Sequence, residues 1–391
     1  VGFKSKPNTK KKASQRDKPT KESSQKTDWD ELRAEVAKVT GQTLEAKVPK
    51  YHLHTDLAFV DVNMGWKPET TAKNGKYGFK SGRIVLLHGD EATMKTSFLY
   101  RMGAAAQQAG GFFWLDNPEN SWEEDLAQVH GVSTDPGCFL YTQSKSVEEH
   151  LNIATRFMQS PLLSRGLPIF AGLDSLAALS TMGEVSNTMQ HSGLPMGTPG
   201  KLAQWFRSTA ELKGLGDYPF YYCIIQQNRD QAGTQGGGGF GTAGTKVPGG
   251  RALRFWISHQ IEISKLNKTD ADAVGLGHLL EDGGSDYVAI HQFHFRKNRG
   301  QISGRKCHIP YWYQWGWHDP IGCFDYLVHQ GYITMRGAYI QFNDQSKYRK
   351  DWHEAIETDP KLAKHIVAMA RQAYFQENYE DRITVKGRTN G

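Results

Sequence analysis

Gly89-Asp90-Glu91-Ala92-Thr93-Met94-Lys95-Thr96-Ser97 follows the apolar run Arg83-Ile84-Val85-Leu86-Leu87-His88 and leads into a stretch, Thr96–Gln108, with helical periodicity. Strand, glycine turn and helix in that order suit a phosphate-binding loop, in which backbone N–H groups wrap phosphate oxygens at a helix N-terminus. All nine residues are candidate nucleotide contacts. Lys95 would reach the β- and γ-phosphates and Thr96 would hold Mg²⁺. The pattern GxxxxGK[ST] has glycine where this chain has Met94. The Met94 side chain must therefore point away from a nucleotide, or the loop must open slightly.

The same alternation continues on both sides of the loop. Gly111–Asp116, Pro168–Asp174 and Phe220–Gln226 read as buried strands, and Ser146–Phe157 and Lys201–Lys213 as helices. Strands alternating with helices imply an α/β fold with a mainly parallel central sheet and helices on both faces. Ligands of such a sheet sit at the carboxyl ends of its strands. Asp174 stands at one such end, after Ile169-Phe-Ala-Gly-Leu173. A phosphate-loop NTPase places there the acid that orients Mg²⁺. Two long stretches interrupt the alternation. Residues 181–200 are rich in Met, Gly, Ser, Thr and Pro, and residues 228–250 hold nine of the chain's 41 glycines. Loops of that length inside a compact domain are usually functional or disordered. Residues 285–315 return to strands, and 320–375 form a small mixed appendix ending in a helix, Pro360–Tyr374.

Charge is distributed unevenly. Nine Lys/Arg against Asp17 and Glu22 give residues 1–27 a net +7, whereas the whole 391-residue chain is +6. The basic excess is thus a tail, and a uniformly basic, histone-like body is excluded. Residues 1–27 have too little apolar surface to offset the entropy of ordering and read as disordered. They serve either as a solubilising or targeting tail or as a non-specific phosphate-binding arm. Residues 28–40 read as a short amphipathic helix, with Trp29, Leu32, Val36 and Val39 on one stripe. No apolar run approaches the ~18–20 residues of a membrane span. The N-terminus lacks the apolar core of a secretory signal. Four cysteines without a CxxC fit a reducing cytoplasm. Cys307, His308, His318 and Cys323 are close in sequence but match no zinc spacing.

Over roughly residues 55–375 the chain resembles the RecA family of strand-exchange recombinases. The likeness runs through Gly82–Gly89 into the phosphate loop, then Leu115–Glu119 and Leu173-Asp-Ser-Leu-Ala-Ala-Leu179. It continues through Cys223-Ile-Ile-Gln-Gln-Asn-Arg229, Val247-Pro-Gly-Gly-Arg-Ala-Leu-Arg-Phe255 and Phe295-Arg-Lys-Asn-Arg299. The bulky Met94 is similar to phage recombinases of the T4 type. The resemblance implies a RecA-like core at 55–318, an N-terminal oligomerisation helix and linker at 28–54, and a small C-terminal α+β domain and tail at 319–391. It implies ATP and Mg²⁺ as cofactors, with Lys95 and Thr96 on phosphate and metal and Asp174 as the metal's acid. Glu119 would polarise the attacking water. Asn117-Pro118 carries one extra residue relative to the family: counting back from His130-Gly-Val132 selects Glu119, counting forward selects Pro118, and Asp116 is the reserve. Gln227 would sense the γ-phosphate. Lys297 and Arg299 would act on a neighbour's nucleotide.

The resemblance also implies a helical filament on single-stranded DNA, with duplex DNA as second substrate and single-strand-binding and loader proteins as candidate partners. The cell compartment would be the cytoplasm, that of the host for a phage protein. A glycine-rich loop near the ligand-binding end can line a channel for single-stranded DNA, where basic side chains meet phosphates and a few apolar ones stack bases. Arg229, Lys246 and Arg251 are the phosphate candidates, Phe240 the stacking residue, and Lys201 and Arg207 the candidates of the first loop. Two other readings share this core. A hexameric ring helicase has the same loop and metal acid, but the closure at Val247–Phe255 and the C-terminal appendix argue against it. A degenerate ATPase that only coats DNA would explain Met94 and the Glu119 register.

Overall fold

The computed structural model describes residues 35, 38, 51–68, 77–186, 197–209, 218–227, 250–281 and 284–380. Contacts divide the chain into Val1–Lys47 and Val48–Gly391. In the first unit Glu35 and Lys38 are helical. The basic tail, the rest of the predicted helix at 28–40, and Arg229, Phe240 and Lys246 lie outside the described residues.

The second unit is built on nine strands: β3 (Ile84–Gly89), β4 (Phe112–Asp116), β5 (Phe139–Thr142), β6 (Ile169–Leu173), β7 (Phe220–Gln227), β8 (His259–Lys265), β9 (Val288–Asn298), β10 (Lys306–Trp312) and β11 (Gly316–Trp317). A separate short pair, β1 (His52–Leu53) and β2 (Phe79–Lys80), precedes them. The order in the large sheet is β11-β10-β9-β8-β3-β7-β6-β4-β5. From β8 to β5 all pairings are parallel, and β8–β9, β9–β10 and β10–β11 are antiparallel. The sheet is thus mainly parallel, with an antiparallel extension made by the aromatic stretch after residue 285.

Apolar residues on both sides of each strand bury both faces of the parallel part. Val85 and Leu87 of β3, with Cys223 and Ile225 of β7, join one cluster with Phe98, Leu99 and Met102 of the helix Lys95–Gln108. Leu86, Tyr222 and Ile224, one residue out of phase, join the other with Val147, Leu151 and Ala154 of the helix Val147–Met158 and Leu202, Trp205 and Phe206 of the helix Thr198–Ser208. This period of two is the pleat of the strand expressed as packing. The predicted helix Lys201–Lys213 begins earlier, at Thr198, with Pro199 in its first turn, where a missing N–H costs nothing.

The C-terminal appendix contains helices Asp319–His329, Arg349–Thr358 and Pro360–Phe375 and a meander of β12 (Thr334–Arg336), β13 (Tyr339–Phe342) and β14 (Gln345–Tyr348). Its residues Phe324, Trp352, Ile366 and Tyr374 share the apolar cluster of Phe98 and Leu99. The short helix Ala58–Asn63 is the junction. Phe59 meets Tyr326 and Tyr374 at ring separations of 4.8 and 4.9 Å, and the Ala58 N–H donates to Asp319 Oδ2 at 2.6 Å.

Candidate functional site

The phosphate loop leaves β3 at Gly89, whose φ of 154° brings it so close to the next strand that a Cβ would lie 2.1 Å from the Ile263 carbonyl oxygen. Ala92 and Met94 also have positive φ, and Met94 caps the helix Lys95–Gln108 in the left-handed conformation. Glycine is the ordinary occupant of such a position. Met94 offsets part of the strain by packing against the core cluster, and Ser97 Oγ donates to its sulfur at 3.7 Å. The side chain therefore points into the protein, the first of the two solutions its sequence position required. Asp90, Glu91 and Ala92 are exposed at the loop tip, and Thr93 is buried with its hydroxyl donating to the Asp90 carbonyl at 2.9 Å.

Lys95 is 6% exposed and curls back over its own loop, donating to the Gly89 carbonyl at 3.1 Å, to the Asp90 carbonyl and to Thr93 Oγ1 at 3.2 Å. Burial lowers its basicity, and Asp174, Asp90, Glu119 and Glu91 oppose that. Thr96 Oγ1 donates to Asp174 Oδ2 at 2.5 Å. Burial pushes the Asp174 carboxyl up to about 6; the Thr96 hydrogen bond resists this and the nearby Glu119 charge adds to it. A hydroxyl beside a carboxylate is an oxygen-only donor set and fits Mg²⁺. The N-terminus of a fourteen-residue helix adds the backbone donors that fit a phosphate chain.

Glu119 is exposed beyond the end of β4, and two groups hold its Oε1: Ser175 Oγ, and Gln227 Nε2 at 3.3 Å. Lys95, Asp174, Glu119 and Gln227 thus follow or end four adjacent strands of the sheet, β3, β6, β4 and β7. Ser175, missed in the sequence, joins Asp174 to this group through the peptide that follows it.

Asp116, the reserve acid, faces elsewhere. It is fully buried, with Oδ2 on His150 Nδ1 at 2.5 Å and Oδ1 accepting from Thr142 Oγ1 and the Ser144 N–H at 2.9 Å each. His150 Nε2 meets the Tyr222 hydroxyl at 2.5 Å. Burial alone pushes the Asp116 carboxyl up; the His150 and Ser144 contacts outweigh it and hold the carboxyl below its ordinary value. Nothing local in the sequence pairs Asp116 with residues 34 and 106 positions away. A second buried contact missed there links the phosphate-loop helix to the sheet extension: Ser97 Oγ and His130 Nε2 each lie 3.3 Å from the Tyr311 hydroxyl.

Lys297 and Arg299 are not brought to this group. In the register, Lys297 pairs with Gln260, which pairs with Leu86, three residues before the loop on β3. Arg299 lies further back, its N–H on the Ser258 carbonyl. Both therefore sit toward the opposite end of the sheet from Gly89, on the order of 10 Å or more along the strands. Lys297 Nζ instead donates to the carbonyls of Arg254 at 2.8 Å and Phe255 at 3.5 Å, in the last turn of the helix Gly250–Trp256. Arg251 lies in that helix. Lys201 is paired with Glu148 at 3.1 Å, and Arg207 is exposed in the same helix.

The comparisons with known proteins come to the same region of the chain. The family model described as RecA N-terminal domain matches residues 66–278, more than half of the chain. Protein RecA of Corynebacterium efficiens is 30% identical over 202 residues, which are 51% of this chain and 48% of that protein. Protein RecA of Mycolicibacterium vanbaalenii is 30% identical over 202 residues, 51% of this chain and 53% of that one. Protein RecA of Lactobacillus delbrueckii subsp. bulgaricus is 24% identical over 305 residues, 77% and 75% of the two chains. At 30% identity the chain thus spans about half the length of the curated relatives it matches. A crystal structure of the RadB recombinase aligns with a TM-score of 0.44 at 14% identity, covering 68% of this chain and 99% of that one. The matched span contains the phosphate loop, Glu119, Asp174 and Gln227, and the chain belongs to the RecA family.

Proposed function

We propose that the protein is an ATP- and Mg²⁺-dependent recombinase that forms a helical filament on single-stranded DNA and pairs it with a homologous duplex. The observation that carries this reading is the convergence of Lys95, Thr96, Asp174, Glu119 and Gln227 at the ends of four adjacent strands. Lys95 would exchange the carbonyls of its own loop for the β- and γ-phosphates. Thr96 and Asp174 would hold Mg²⁺, which when bound neutralises phosphate charge. Glu119, steadied by Ser175, would orient the attacking water. Gln227 would leave Glu119 for the γ-phosphate, and that motion would pull on residues 228–249 directly after it. Lys297 and Arg299, at the far end of the sheet from their own loop, would reach the nucleotide of a second copy. In the DNA channel Lys201 would have to exchange Glu148 for a phosphate, alongside Arg207, Arg229, Lys246 and Arg251, with Phe240 against a base.

The test is ATP hydrolysis with and without single-stranded DNA, on the parent and on Lys95→Ala, with electron microscopy of the assemblies. The expected outcome is DNA-stimulated turnover, lost in the variant, together with helical filaments. A parent that coats DNA without turnover would replace this reading with a DNA-coating protein. Closed rings that unwind a forked duplex would replace it with a helicase.

A further inference from the structure

One group of side chains takes no part in the nucleotide site. His278, in the turn Gly277–Leu280, and His353, in the helix Arg349–Thr358, both aim Nε2 at Asp325 in the helix Asp319–His329. His278 Nε2 lies 3.1 Å from Oδ2 and His353 Nε2 lies 3.1 Å from Oδ1. The three ligand atoms are within 4.8 Å of one another. Arg349 Nη1 also contacts Oδ1.

We propose that His278, Asp325 and His353 form a three-ligand site for a borderline transition-metal ion, Zn²⁺ being the natural occupant, that ties the C-terminal helices to the core. Two imidazoles and one carboxylate are a zinc ligand set with a fourth position left to solvent. Magnesium and calcium, which favour oxygen donors, suit it poorly. Two ligands about 2.0–2.1 Å from a tetrahedral ion stand roughly 3.3 Å apart, close to the 3.1 Å between His278 Nε2 and Asp325 Oδ2. The two nitrogens, no more than 4.8 Å apart, must close by up to about 1.5 Å, which ring rotation supplies, because the His278 and His353 side chains keep 28% and 16% exposure while Asp325 has none. That difference also leaves a path for the ion from solvent.

Arg349 fits the role of a group that orients a ligating carboxylate by hydrogen bonding to it. It holds Oδ1 and leaves Oδ2, already beside His278, to the ion. His318, which feels the His353 charge, has a buried Nδ1 with no hydrogen-bond partner among the described residues. The ligands stand 47 and 28 residues apart in sequence, so no short spacing announces the site.

The experiment uses the untagged full chain, dialysed against chelator and titrated with Zn²⁺ against a competing indicator, with Mg²⁺ as control ion. The expected result is about one zinc per chain at micromolar concentration and a raised thermal midpoint. His278→Ala and His353→Ala should each weaken binding at least about tenfold, with His365→Ala, outside the cluster, as parent. X-ray absorption at the zinc edge should show nitrogen and oxygen ligands without sulfur. No zinc retained, zinc retained equally by both cluster variants, or sulfur in the shell would each overturn the site. Because the readouts are binding, stability and ligand type, they are independent of ATP turnover.

Discussion

Met94 holds φ 60° and ψ 31°, a conformation that costs a side-chain-bearing residue about 1–2 kcal/mol. Its partial burial returns on the order of 1 kcal/mol. Met94→Gly is therefore expected to change stability by less than about 1 kcal/mol, whereas Met94→Ile, β-branched in a left-handed position, should lose more than about 1 kcal/mol; urea unfolding of the two variants compares them. Glu119 and Asp116 separate in the same way. Glu119→Gln is expected to lower hydrolysis roughly 10²-fold or more while leaving nucleotide binding intact. Asp116→Asn should instead cost roughly 3 kcal/mol of stability, since it weakens the buried contact to His150. Hydrolysis and denaturation measured on both variants assign the two acids. At this scale the sequence was legible where chemistry is local. Lys95, Thr96 and Asp174 were readable because a loop and a strand end each carry their own pattern. The Asp116–His150–Tyr222 contact was not, because it is made by three elements that meet only after the sheet forms.

The helix Lys95–Gln108 comes close to the sheet because glycine stands at two of its contacts. A Cβ on Gly103 would lie 2.5 Å from the Phe113 ring of β4, and one on Gly172 of β6 would lie 2.9 Å from Leu99. The first position aligns the helix axis, and with it the loop at its N-terminus, against β4. Gly103→Ala is expected to cost about 1–3 kcal/mol by overpacking, although alanine is the better helix former. A fall in nucleotide affinity with it would show that the helix position sets the loop; thermal unfolding and nucleotide titration on one preparation read both. Four of the six parallel strands, β3, β4, β6 and β7, were legible because burial on both faces makes continuous apolar runs such as Ile224-Ile225. The other two, β5 and β8, are part-exposed along their length, make no such run and were not. The meander β12–β14 was not. Its residues Thr334, Met335 and Arg336 are all exposed, so no alternation marks them.

Across the whole unit, buried histidines set the response to acid. Burial lowers His130, His259 and His308 to about 4 and His291 to about 3. Below an ordinary imidazole value near 6.5 the unfolded chain takes up protons that the folded chain refuses, so stability falls as pH drops from about 6.5 toward 4. Asp174 and Asp319, pushed up to about 6, act in the opposite sense, their contribution being lost as pH rises through about 6. Among the described residues burial lowers six histidines, His294 and His318 included, and raises three aspartates, Asp61 included, so net stability should decline on acidification. His291→Leu should remove up to about 1.4 kcal/mol per pH unit of that decline. Urea midpoints between pH 4.5 and 7 give the slope, and an unchanged slope in the variant would contradict the assignment.

The placement of Lys297 and Arg299 toward the end of the sheet away from Gly89 has a geometric consequence. If those side chains serve a nucleotide, they serve one held by another copy, and the contact joins two different surfaces of the molecule. Such a contact is head-to-tail, so it cannot close as a twofold pair; it closes only as a ring or continues as a helix. An open assembly of this kind would have two unlike ends, one presenting an uncovered phosphate loop and the other an unused basic edge. Growth and loss at the two ends would then proceed at different rates. A Lys297→Ala chain could still be joined at its loop by a normal neighbour, while failing to complete the site of the copy on its other side.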